Sequence, residues 1–256
     1  MAATAGSLAA QAAIARVAYE DAVQWLENSL EVIGNRLTDA DVSVTGDAPG
    51  RGEPDRGDLL CALGEAALAM GDPARSRRAF TQAADLARLR HRPELLAMAA
   101  LGLCGGAAGF EVDLTDPDRM DLLQEAFVGL PVIDSALRSA VTARLSVALT
   151  FTGAEHRRRH LADNAVAMAR RLDDPQALAT ALAAQCDALV GPDHIDVRRA
   201  AADDIIACAR TVHDRTMELL AAGFGWSRMP KPGAGPRSTT RSIPMQRFPS
   251  RPGKRD

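Results

Sequence analysis

Residues 58–90 read DLLCALGEAALAMGDPARSRRAFTQAADLARLR, and this stretch decides the fold. Asp58 to Met70 is an unbroken run of strong helix formers, chiefly Leu and Ala, and a second run extends from about Ala74 to Arg90. Between them, Gly71-Asp72-Pro73 stops one helix and starts the next. An aspartate in the N-cap satisfies orphan N–H groups, and the fixed φ of proline suits the first helical turn. Phe80, Ala83, Ala84 and Ala87 fall on one side of the second helix, the side expected to pack on the first. The stretch is therefore an antiparallel helix hairpin.

Outward from this hairpin the same devices return. Asp116-Pro117 and Asp174-Pro175 repeat the start signal, and Ala87-Arg88, Ala169-Arg170 and Ala209-Arg210 stand at multiples of about 40 residues. Pro93 and Pro175 each follow an Ala-Arg pair by six positions and open another Leu/Ala-rich stretch, and Val128 closes the helical pattern of residues 122–127 between them. A fixed period of this size marks a helical repeat array, in which each hairpin buries its apolar face against its neighbours. Helices are expected at roughly 94–104, 118–129, 134–152, 156–172, 176–190, 195–212 and 214–223.

Four segments follow. Residues 1–33 form an N-terminal hairpin, whose second helix, 19–33, repeats apolar positions at Ala22, Leu26, Leu30 and Ile33. Residues 34–57, rich in Gly, Asp, Pro and Arg, read as a flexible loop; residues 58–225 are the repeat domain. Residues 226–256 hold six prolines and four serines, and eight of their side chains are basic against one acid, Asp256. Such a composition buries too little apolar area to offset chain entropy, so a disordered basic tail is expected. The other 225 residues carry an acidic excess, 22 bases to 32 acids.

Low aromatic content (4 %) and abundant Ala and Leu point to an all-α protein. Cys61, Cys104, Cys186 and Cys208 are widely spaced among apolar helical residues, as expected of buried free thiols in a reducing cytoplasm. The N-terminus lacks the basic start of a signal peptide, and the longest uncharged stretch, 95–110, is too short and too glycine-rich to span a membrane.

Residues 58–84 resemble a tetratricopeptide repeat through Leu60, Leu63-Gly64, Ala67, Gly71-Asp72, Phe80 and Ala83, with Ser76 where alanine is usual. Over about 58–225, the ordered stretches 101–103, 109–112, 130–138, 165–175 and 186–192 look like the helical-repeat region of large bacterial signalling ATPases and LuxR-type transcriptional regulators. The resemblance implies a tetratricopeptide-like α-solenoid of antiparallel helix hairpins that regulates neighbouring domains by holding an effector or partner. No G-x-x-x-x-G-K-[ST] phosphate loop is present, and nothing reads as a DNA-recognition unit, so those activities are not expected of this chain. Two origins fit the abrupt change at Trp226: a natural disordered tail, or a truncated or frameshifted gene remnant.

Candidate chemistry is sparse. His156 and His160 have a metal-compatible spacing, but Arg157, Arg158 and Arg159 between them would repel a cation. The arginines are expected on a solvated face. Glu111, Asp113, Asp116, Asp118 and Asp121 form an acidic cluster without EF-hand spacing, best read as caps and a solvated loop. His194 and His213 neighbour aspartates without a nucleophile, while Trp25, Phe80, Phe127 and Phe151 are expected in the core. No catalytic, cofactor-binding or metal residues are assigned. The expected function is a non-enzymatic scaffold that takes a protein or peptide on its concave face; a small-ligand sensor is the alternative. The tail adds weak non-specific nucleic-acid binding, and an uncapped last helix, Leu219-Leu220 to Phe224, adds self-association.

Overall fold

A computed structural model of the chain describes residues 2–15, 18–39, 55–105 and 117–225. These are all-helical: α1 (Ala2–Ala15), α2 (Tyr19–Asp39), α3 (Arg56–Met70), α4 (Pro73–Leu89), α5 (Pro93–Gly105), α6 (Pro117–Gly129), α7 (Ala136–Ala148), α8 (Glu155–Leu172), α9 (Pro175–Ala188), α10 (Ile195–Thr211) and α11 (Arg215–Gly225). A single 3-10 turn, Pro192–His194, precedes α10. The N-terminal hairpin is longer than the sequence pattern indicates. Helix α1 begins at Ala2, and α2 continues to Asp39. The expected loop at 34–57 is shortened from both sides, since α3 starts at Arg56; residues 40–54 lie outside the described residues, as does the tail from 226.

The start signals work as their chemistry requires. Asp72 Oδ1 accepts from the Arg75 N–H (2.9 Å), and Asp174 Oδ1 accepts from the Gln176 and Ala177 N–H groups (2.9 and 3.1 Å). Ser135 and Asp214 cap α7 and α11 in the same way. Asp116 lies outside the described residues.

The recurring Ala-Arg pairs have a structural cause. Four residues after Ala67, Ala87, Ala169 and Ala209 stand Gly71, His91, Asp173 and His213, all with left-handed backbone at φ between 53° and 86°. At three of these turns the residue after the left-handed one donates its N–H to the alanine carbonyl, each at 2.9 Å: Asp72 to Ala67, Arg92 to Ala87, and Asp214 to Ala209. His91, Asp173 and His213 donate to the carbonyls of Arg88, Arg170 and Arg210. This is a Schellman turn, which satisfies the last carbonyls and reverses the chain. Only Gly71 takes the left-handed conformation without strain. Glycine at His91 or His213 is therefore expected to stabilise the protein by roughly 0.5–1 kcal/mol each, and urea unfolding checks this.

Each helix packs on the next in sequence. Beyond that, α3 packs on α5, α5 on α7, α7 on α9 and α9 on α11, whereas no two even-numbered helices make comparably close contact. Helices α3, α5, α7, α9 and α11 thus form one layer, with the even helices packed beside it. Alanine permits the close approach. Helices α7 and α9 are buried on almost every side, and α9 contributes Ala177, Ala179, Ala181, Ala183, Ala184 and Ala188. The buried side chains fall into three clusters, one drawn from α1–α4, one from α3–α8 and one from α7–α11.

Small polar groups fix the helix registers. Ser139 Oγ donates to Ala165 O (3.1 Å) and Ser146 Oγ to Arg158 O (2.8 Å), tying α7 to α8 at two places seven residues apart on each helix. Cys186 Sγ repeats the second bond to Arg198 O (3.7 Å), and Cys104 Sγ makes a similar one to Arg119 O (3.5 Å). Ser146 and Arg158 stand 40 positions before Cys186 and Arg198, so the repeat is legible in the hydrogen bonds themselves.

Two aromatic expectations are corrected. Helix α7 ends at Ala148, short of the expected 152, because the Thr150 and Thr152 hydroxyls donate to the Val147 and Leu149 carbonyls in a tight turn. Phe151 lies in that turn and is 68 % exposed. Trp25 is 48 % exposed on α2, whose buried face is formed by Ala22, Val23, Leu26 and Ser29 instead. Phe80 is fully buried, and Phe127 is half-buried beneath the Arg138 guanidinium, 5.2 Å from its ring centroid.

Candidate functional site

The residues singled out for chemistry do not converge. His156 and His160 are both exposed on the first turns of α8, and His160 Nε2 lies 3.0 Å from Asn164 Nδ2, its neighbour one turn on. Asp121 is exposed on α6; Asp118 opens the same helix; Glu111, Asp113 and Asp116 lie outside the described residues. Among the described residues no group of three His, Cys, Asp or Glu side chains is placed to hold a metal ion. His194 ends the 3-10 turn and His213 occupies a Schellman turn, which accounts for their positions by backbone structure alone.

The arginine run is a correction. Arg157 and Arg159 are solvated as expected, but Arg158 is only 6 % exposed. Its Nε donates to Ser146 O (3.2 Å), and its Nη2 donates to both Asp187 O (3.0 Å) and Asp187 Oδ2 (2.7 Å), while Thr150 Oγ1 also reaches Asp187 Oδ2 (3.2 Å). One guanidinium therefore joins α7, α8 and α9. Helical period places residue 158 on the buried face, and the hydrogen bonds satisfy the charge there. Sequence reasoning also missed Asp55. This buried carboxylate lies at the foot of α3 and takes both Arg90 Nη1 (2.7 Å) and Arg92, which anchors the α4–α5 turn.

The thiols behave as structural groups. Burial pushes Cys61 up to about 12, with Glu65 and Asp58 adding to the effect, and pushes Cys186 up to about 11; half-exposed Cys208 is raised as well. The thiolate is the nucleophile. Alkylation by iodoacetamide at pH 8 is therefore expected at Cys208 first, with Cys61 and Cys186 reacting only on unfolding; mass spectrometry of the modified peptides reads the order.

Two surfaces remain. On the odd-helix layer, α3 exposes Asp58, Glu65 and Ala69, and α5 exposes Glu94 and Met98, at spacings that make one stripe on each helix. Glu65 opens to solvent from a recess, and its partial burial raises its carboxyl above the ordinary value. On the even-helix side an open groove of about 460 Å³ runs between α2 and α4 over α3. Leu30, Leu60 and Leu63 line it, with Glu27, Glu31, Arg56, Arg75, Arg78 and Gln82 also on its walls; Arg75 Nε lies 3.7 Å from Glu27 Oε1. Among the described residues no helix is long and apolar enough to cross a membrane.

No family model and no curated protein matches the chain.

Proposed function

We propose that this chain is a tetratricopeptide-like α-solenoid acting as a non-enzymatic protein-interaction scaffold in the cytoplasm, related to the repeat regions of bacterial signalling ATPases and LuxR-type regulators. The 40-residue register shared by α8–α9 and α10–α11 supports the array, since Glu155 and Ile195, and Pro175 and Arg215, open equivalent helices. Mutual packing of the odd helices supports an inner face presented by that layer.

The stripe formed by Asp58, Glu65, Glu94 and Met98 carries the reading of the partner. Three carboxylates beside one flexible thioether suit a basic peptide that also offers an apolar side chain. A recessed Glu65 gains more from a cationic partner than a fully hydrated carboxylate does, because part of its desolvation cost is already met. The test is fluorescence anisotropy with Lys/Arg-rich peptides carrying one central Leu. Binding is expected to weaken about tenfold or more on Glu65→Lys and on Met98→Glu, with a steep salt dependence. Equal binding by both variants would remove the inner stripe as the docking surface. The basic tail, outside the described residues, contributes weak non-specific nucleic-acid contacts in this reading.

A further inference from the structure

Among the described turns that lead from an even helix to an odd one, the turn between α6 and α7 stands apart. After α4, α8 and α10 the chain reverses in two or three residues, chiefly Arg, His and Asp. After α6 it takes six, Leu130-Pro131-Val132-Ile133-Asp134-Ser135, and the first four are apolar. Leu130 is buried, but Val132 is 87 % exposed and Ile133 67 %. The loop is nevertheless held firmly. Arg138 Nη1 donates to the Leu130 and Pro131 carbonyls (2.9 and 3.1 Å) while its guanidinium lies over Phe127. Ser135 caps α7, and Arg171 Nη2 of α8 donates to Asp134 Oδ1 (2.9 Å). Two more large apolar side chains lie on this edge: Val128 at the end of α6 and Leu89 at the end of α4, 74 % and 78 % exposed. The two helix ends are neighbours, since Arg88 Nη2 donates to Glu125 Oε2 (2.7 Å) and a Cβ at Gly129 would stand 3.8 Å from Pro93. Chain reversal needs no apolar tip, as the other three turns show, and ordering one brings no return within the single chain.

The geometry points to a two-fold contact between copies of this chain, centred on Val132 and Ile133 with Val128 and Leu89 beside them. The area fits. Four largely exposed aliphatic side chains offer about 300–400 Å² of apolar surface per copy. A stable interface buries about 800 Å² per partner, a little over half of it apolar. The patch supplies most of that apolar share, and its polar border supplies the rest. The charges fit as well. One ion pair, Arg88–Glu125, joins α4 to α6, and another, Arg171–Asp134, joins the loop to α8. These pairs give the border one acid for each base, and a copy turned about a two-fold axis meets the same border with opposite charges in reach. An anionic membrane or a nucleic acid would call for a basic excess, which paired charges do not provide. The loop is also ordered before the contact forms, so association does not have to fix it.

Sedimentation equilibrium of the full chain, from about 1 to 300 μM, is the test. A reversible dimer is expected, with a dissociation constant on the order of 10 μM. Ile133→Lys and Val132→Asp are each expected to weaken it about tenfold or more. Both alter exposed side chains, and an unchanged circular dichroism spectrum verifies that the fold stands. Leu219→Lys, on the exposed side of α11, is expected to leave the dimer as it is. A chain that stays monomeric over the whole range overturns the proposal. So does a dimer indifferent to either loop substitution, or one that Leu219→Lys dissociates, since the copies would then meet through α11.

Discussion

Phe80→Ala is expected to cost about 4 kcal/mol and to uncouple the first helices from the later ones. The ring leaves α4 fully buried and enters the space between α3 and α5. There it meets two glycines. A Cβ at Gly64 would stand 2.6 Å from the ring, and one at Gly102 would also fall inside 3.0 Å of it. Each mid-helix glycine costs roughly 0.5–1 kcal/mol of helix stability relative to alanine, and the clearance gained by the ring explains both. Ring and glycines form one unit, so Gly102→Ala is expected to destabilise as well: Gly64 hems the ring from the opposite side and leaves it no retreat. Because each helix packs chiefly on its sequence neighbours, stability is close to a sum of nearest-neighbour interfaces. Urea unfolding of Phe80→Ala should therefore show a lower midpoint together with a broadened or split transition. A single sharp transition shifted by less than 1 kcal/mol would sink this account.

Arg158→Met is expected to cost about 3 kcal/mol, while Arg157→Ala and Arg159→Ala stay within about 0.5 kcal/mol. The three side chains are adjacent and chemically identical, and only their surroundings differ. Removal of the central guanidinium strands the Ser146 and Asp187 carbonyls and leaves the Asp187 carboxylate with the Thr150 hydroxyl alone. A double-mutant cycle with Asp187→Asn separates the charged contact from the backbone ones: if the two losses add without interaction, the clamp is not a unit. Thermal unfolding of the four single variants and the double variant is sufficient.

Acidification offers a check on the surface. Asp134 is held below its ordinary value by hydrogen bonding to Arg171, and Glu125 by Arg88. Carboxyls lowered on folding contribute stability that is present above their unfolded values and lost as pH falls through the folded ones. Glu65 has the opposite sign, since its raised carboxyl destabilises at neutral pH and is relieved on protonation. Glu65→Gln is therefore expected to raise stability at pH 7 and to remove that relief on acidification. Solvent screening keeps the Asp134 and Glu125 effects small.

Helix type and helix order were set by local chemistry, and so were readable in residues 58–90 and their echoes. Leu and Ala propensity, Asp-Pro starts and the Ala-Arg pairs at Schellman turns act within about six residues of chain, so one sequence suffices to see them. Burial of Cys61, Cys104 and Cys186 followed from their apolar neighbours, whereas Cys208, expected to be buried as well, is half-exposed. Tertiary structure alone decided which polar groups are structural. Arg158 differs from Arg157 and Arg159 only because α7 and α9 close over it and supply acceptors from residues 12 and 29 positions away. Asp55 is buried by two arginines 35 and 37 positions on, and Gly64 and Gly102 are explained only by a phenylalanine on a third helix. Trp25 failed as a core residue because helical spacing says which residues share a face, but not which face a neighbouring helix will cover, and Phe151 failed because α7 ends three residues before it.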